Sequence, residues 1–212
     1  MAQRTIHYLF GEMIARQVAI VDKERFLLGS IMPDAVEACQ KDKSHFKVRT
    51  DKLKYLDFEA YRNQYFDRMQ QDDLYLGYYM HLVEDAFYRV FIYQDRFTMP
   101  RNKEEVALLH RDYHILNAYI VKKYNMHNIL EKDMIIDHEP IGGIETFLIQ
   151  ESLTKLSDEF VEQTQGATAF LTEGMVDEFI ETYLPLAVEE VRNLKKGNSV
   201  LRMRDYTWPR KG

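Results

Sequence analysis

The chemistry of this chain is carried by histidine and aspartate: it has seven histidines and a single cysteine in 212 residues. In the stretch YYMHLVEDAFY, His81 and Asp85 stand four apart, so a helix places both on one face, one turn apart. Their neighbours are apolar, and a buried imidazole and carboxylate there must be paired, hydrogen-bonded or bound to a cation. An intrahelical His–Asp hydrogen bond in the core would meet that demand as well as a metal would. Gly77, one turn earlier, leaves room for an approaching group. His110 and His114 in LLHRDYHIL repeat the four-residue spacing, with which two imidazoles can grip one metal, although surface pairs also arise by chance. No glutamate follows His110, so the HExxH protease pattern is absent.

The other candidates are more isolated. His7 shares a helical face with Phe10, Ile14 and Val18, where a histidine is usually a satisfied core residue. Asp34 follows Pro33 in a sharp turn that a cap or Asx-turn would explain. His45 in KDKSHF is by itself a loop histidine, and His127 and His138 read as structural or exposed. Taken in order, however, His7, Asp34, His45, His81, Asp85, His110 and His114 form a set of nitrogen and oxygen ligands without cysteine. Such a set suits zinc, with iron or manganese as alternatives, and is typical of hydrolytic centres with open coordination positions.

Apolar residues recur at three and four, which predicts an all-α fold: one domain of about six to eight helices around a central buried helix. Helices are expected over Thr5–Ile20, Lys23–Leu28 (capped by Asp22 and ended by Gly29-Ser30), from Asp57 to Met69, and Lys103–Tyr124. Two more are expected over Ile144–Gln163 and Thr172–Lys195, the second containing Pro185. The helix from Asp73 to Phe97 is apolar almost all round and belongs at the centre. Residues 38–54 read as a lysine-rich loop and the segment around Asp137–Gly143 as a connection. The domain spans 1–196, and 197–212 form an irregular basic tail.

Composition narrows the partners. The net charge is −6, which disfavours a basic face for duplex nucleic acid. No run of eighteen apolar residues is present, so no integral membrane association is expected. The single Cys39 excludes a disulfide framework, and the absence of a recognisable secretion signal points to the cytoplasm.

Several stretches resemble the zinc-dependent phospholipase C family, which is related to zinc-dependent single-strand nucleases: TIHYLFGEMIA, GSIMPDA, the following SHF, YLGYYMHLVEDAF and HRDYHILNAYIVKKY. The resemblance covers roughly the first 125 residues. It implies a helical fold with a metal cluster at the base of a cleft. His7 would match the ligand on the N-terminal helix, Asp34 and His45 the loop ligands, and His81 with Asp85 the central-helix pair, the aspartate bridging two metals. His110 would match the first ligand of the next helix. The family has a glutamate where His114 stands, and a further histidine near the position of Phe91, so one or two metals fit this chain better than three.

These features lead to the expectation of a metal-dependent phosphoester hydrolase. It would act on a small soluble phosphoester, with Asp34 as candidate general base or only as a ligand. The alternative is a non-catalytic helical protein whose structural or degenerate metal site supports partner binding. An HD-type phosphohydrolase ranks lower, because no His-Asp dipeptide occurs. Tyr78, Tyr79 and Tyr88 are candidates for the cleft wall, although a tyrosine stripe on a central helix usually belongs to the core.

Overall fold

The computed structural model describes residues 3–92, 102–134 and 136–209. Eight α-helices lie within them: α1 (Arg4–Ala15), α2 (Lys23–Ile31), α3 (Lys41–Ser44), α4 (Phe58–Gln71), α5 (Asp73–Val90), α6 (Lys103–Lys123), α7 (Ile149–Val161) and α8 (Glu173–Leu194). The fold is all-α, and no helix among the described residues is long and apolar enough to cross a membrane.

Capping residues set most of the starts. Asp22, Asp57, Asn102 and Thr172 accept the backbone N–H groups of Arg25, Ala60, Glu105 and Met175, which satisfies donors the helix itself cannot reach. Asp72 opens α5 by accepting from Leu74 N–H, and its carboxylate also takes two bonds from Arg25 at 2.8 and 2.6 Å, joining α2 to α5. Helix α5 is buried from Asp73 to Tyr88 and forms the centre of the domain, with α1, α2, α4 and α8 packed around it. The expected continuation of α5 to Phe97 falls largely outside the described residues.

The contact between α2 and α5 is the most extensive in the fold, and two glycines permit its close approach. A Cβ on Gly77 would stand 2.0 Å from the carbonyl oxygen of Phe26, and one on Gly29 would stand 2.1 Å from that of Leu74. Gly29 therefore does not end α2, as its type suggested. The helix runs on through Ser30 to Ile31, because Gly29 serves as a packing surface instead of a terminator. This approach brings the carbonyl end of α2 within reach of the His81 ring.

Three further stretches differ from expectation. Residues 38–54 are not a loop throughout: a 3₁₀ turn at Ala38–Gln40 leads into α3, then strands β1 (Lys47–Arg49) and β2 (Leu53–Leu56) pair antiparallel with Val48 opposite Tyr55. Strands of three or four residues are too short to show period-two alternation. Helices α1 and α7 are shorter than their apolar spacing predicts, α1 ending at Ala15 and α7 starting only at Ile149.

The tail is also more ordered than irregular. A 3₁₀ turn at Met203–Tyr206 precedes strand β3 (Trp208–Pro209), which pairs with β2. The buried carboxylate of Glu190 holds it there, accepting from Val200 and Leu201 N–H, Ser199 Oγ and Tyr79 Oη.

Replacing Gly77 with Ala forces a methyl group into the α2 backbone, which has no rotamer by which to yield. The expected cost is at least about 2 kcal/mol, read by urea denaturation. Gly174→Ala, with its nearest foreign atom at 3.9 Å, should be neutral or stabilising, by up to about 1 kcal/mol.

Candidate metal centre

Five of the seven predicted ligands converge. His7 comes from α1, Asp34 from the 3₁₀ turn at Met32–Asp34, His45 from the end of α3, and His81 with Asp85 from α5. Each of the sets His7–Asp34–His81 and His45–His81–Asp85 brings its ligand atoms within 4.8 Å of one another, and the two sets share His81. His7, His45, His81 and Asp85 are buried, whereas the Asp34 side chain keeps 11% exposure.

All three imidazoles are oriented in the same way. His81 Nδ1 lies 2.8 Å from the carbonyl oxygen of Ser30, and His45 Nδ1 lies 2.8 Å from that of Lys41. A carbonyl only accepts, so in both rings Nδ1 carries the proton and donates it. His7 Nδ1 lies 2.6 Å from Glu84 Oε2, the carboxylate–histidine arrangement that fixes a ligand ring and raises its basicity. The Nε2 atoms then face inward. His81 Nε2 and His45 Nε2 are 3.1 Å apart, and with both Nδ1 atoms protonated two lone pairs face each other across that gap. His7 Nε2 is buried with no hydrogen-bond partner, 3.8 Å from Asp34 Oδ2 and 3.9 Å from Asp85 Oδ1.

A cation resolves this arrangement. Two imidazole nitrogens on one tetrahedral zinc are separated by about 3.3 Å, given bonds of about 2.0–2.1 Å. The observed separation of 3.1 Å is close to that edge. Neutral imidazoles with two carboxylates are also the donor set that zinc, iron and manganese accept.

Protonation follows the geometry. Burial, reinforced by repulsion from His7 and His45, drives His81 well below the ordinary histidine value, and burial also lowers His45. Burial opposes charge on His7 too, but Glu84, Asp85 and Asp34 outweigh it and raise His7 to about 9. Burial disfavours ionised Asp34 and Asp85, yet the surrounding histidines hold both well below the usual carboxylate range. Burial pushes Glu84 up, against the pull of His7.

His110 and His114 do not join the cluster. Both are exposed on α6; His114 Nδ1 bonds Glu162 Oε2 at 2.9 Å, while His110 faces the same cleft as Asp34. Helical spacing puts the two on one face but does not say whether that face meets the core or solvent. His127 is exposed and His138 half-buried, its Nδ1 donating to the Glu139 carbonyl. Phe91 packs against Phe179 and Tyr183.

Glu84 is the functional residue that spacing alone did not single out. Its signal was present: it is a charged residue three after His81 in a helix with few others. Tyr78, Tyr79 and Tyr88 are core residues. Tyr78 Oη donates to the Ser44 carbonyl at 2.6 Å, which fixes the backbone beside His45. Tyr79 donates to Glu190, and Tyr88 bonds Tyr113 Oη at 3.0 Å.

Beside the cluster opens a cleft of about 460 Å³. Of the five converging residues, Asp34 borders it, with Arg4, Lys41, His110, Tyr113 and Lys155 among the other walls. Comparison of the chain with family models, curated proteins and solved structures finds no match.

Two outcomes are expected from zinc titration followed by calorimetry. Glu84→Gln should weaken zinc binding about 10–100-fold by loosening the His7 ring. In the wild type, affinity should rise with pH up to about 9, because below that value a cation must displace the proton on His7.

Proposed function

We propose that this protein is a metal-dependent phosphoester hydrolase whose cation is held by His7, Asp34, His45, His81 and Asp85. The observation that carries this reading is the inward convergence of three Nε2 atoms, each ring fixed by an acceptor at Nδ1, beside two carboxylates. A purely structural hydrogen-bond network would set donors against acceptors, whereas here the His45 and His81 Nε2 acceptors face each other at 3.1 Å. The resemblance of the first 125 residues to zinc-dependent phospholipases C points to the same class of reaction.

A divalent cation bound there supplies a positive centre for phosphate oxygens and lowers the pKa of water toward neutrality. The protein's own residues do the rest. His45, His81 and Asp85 lie inside, where they bind and do not meet substrate. Asp34, anionic and bordering the cleft, stands where a carboxylate can orient an attacking water. Glu84 and the carbonyls of Ser30 and Lys41 keep the imidazoles from turning.

The cleft favours a small soluble substrate over a lipid. Its walls carry the cations Arg4, Lys41 and Lys155, the histidines His110 and His114 and the carboxylates of Asp34 and Glu159, with Val36, Ala38 and the Tyr113 ring as its apolar residues. Three apolar residues give an acyl chain few partners, while the three cations exceed the two carboxylates of the wall and so favour an anionic phosphoester.

The test is an assay of phosphomonoesters and phosphodiesters with added zinc, manganese or iron. Wild-type protein should turn over at least one of them and lose that activity to a chelator. His81→Ala should lose cation and activity together, and Asp34→Asn should lose at least about 100-fold in kcat, as misplacement of the attacking water does. A folded wild type that takes up cation but hydrolyses nothing would favour a non-catalytic metal protein.

A further inference from the structure

Lys41 stands on the boundary between the cluster and the cleft. Its Nζ is 3.3 Å from Asp34 Oδ1, and its side chain, 40% exposed, forms part of the cleft wall. Its backbone is fixed separately, because the Lys41 carbonyl accepts the His45 Nδ1 proton. The position of the ammonium group is thus tied to the site by its residue's own carbonyl and a flexible stem.

The other cations of the cleft have partners of their own. Arg4 is paired with Glu159 and also donates to Ser152 Oγ, and Lys155 is paired with Glu151 on its own helix. Neither of those carboxylates belongs to the cluster. Lys41 instead leans on Asp34, the carboxylate that a bound cation would claim. A full positive charge beside a dication is repelled unless an anion lies between them.

We infer that Lys41 binds the phosphate of the substrate. When Asp34 serves the cation, the ammonium group is released from that carboxylate and meets a non-bridging phosphate oxygen from the cleft side. This assignment rests on the hydrolase reading above and specifies its substrate class as a phosphomonoester. A monoester carries a second negative charge near neutral pH, with a second pKa of about 6, and a diester does not. An extra full cation beyond the metal site matches that second charge. The reacting phosphoryl group would lie between Lys41 and the cluster, and the cleft would hold the alcohol portion.

The experiment titrates zinc into wild-type, Lys41→Met and Lys41→Arg proteins, then inorganic phosphate into each zinc-loaded protein, both by calorimetry. Lys41→Met should take up zinc as tightly as wild type or more tightly, since a competitor for Asp34 is gone. Its phosphate affinity should fall about tenfold, as expected for loss of a charge-assisted hydrogen bond, with Lys41→Arg restoring most of it. KM for monoesters should rise in Lys41→Met while KM for diesters stays within about twofold, the extra charge being absent from a diester. Unchanged phosphate affinity in zinc-loaded Lys41→Met would overturn the assignment, and so would parallel loss of zinc and phosphate, which marks a structural role. Failure of wild-type protein to bind zinc would instead overturn the hydrolase reading on which the assignment rests.

Discussion

The structure depends on one repeated constraint: each imidazole at its centre donates through Nδ1 to a fixed acceptor. His7 on α1 is fixed by Glu84 on α5, His81 on α5 by the Ser30 carbonyl of α2, and His45 by Lys41 at the start of α3. The first two bonds tie α1 and α2 to α5, and the third fixes His45 against the start of its own helix. They also fix the orientation of each ring, so the three Nε2 atoms must point into the same small space. Burial of such a set is costly unless a cation is present or protons are shared. Cation binding should therefore stabilise the folded chain as well as equip it.

The packing of α2 on α5 serves that constraint. The Ser30 carbonyl can reach His81 only because Gly29 and Gly77 let the two backbones approach past the distance at which side chains would collide. A core built on larger residues at the crossing would hold the helices apart and free the His81 ring to turn. Tyr78 plays a comparable part for His45 by gripping the Ser44 carbonyl. Of the tyrosines of α5, Tyr78 thus supports the site from behind, while Tyr79 and Tyr88 bond Glu190 and Tyr113 in the core.

How much of this was legible in the sequence depended on the range of the interaction. The central helix, the Asp22 and Asp57 caps and the His81–Asp85 pair rest on neighbours within a turn or two, and local spacing revealed them. Gly29 was misleading because its partner, Gly77, lies far along the chain, and a glycine at a helix end looks the same as one at a crossing. The short strands at 47–49 and 53–56 left no periodic trace. His110 and His114 showed the spacing of a metal pair, but their helix turns that face outward, and spacing carries no information about which side is covered. Glu84 could have been suspected from its charge in an apolar helix, although only the fold shows that it meets His7, 77 positions away.

The central claim is that the converging Nε2 atoms form a cation site. The most direct measurement is an anomalous difference map from crystals grown or soaked with zinc. The account predicts a peak within about 2.0–2.3 Å of both His45 Nε2 and His81 Nε2, allowing for bond-length scatter. No peak there at millimolar zinc, or zinc bound only at the exposed His110 and His114, would contradict it.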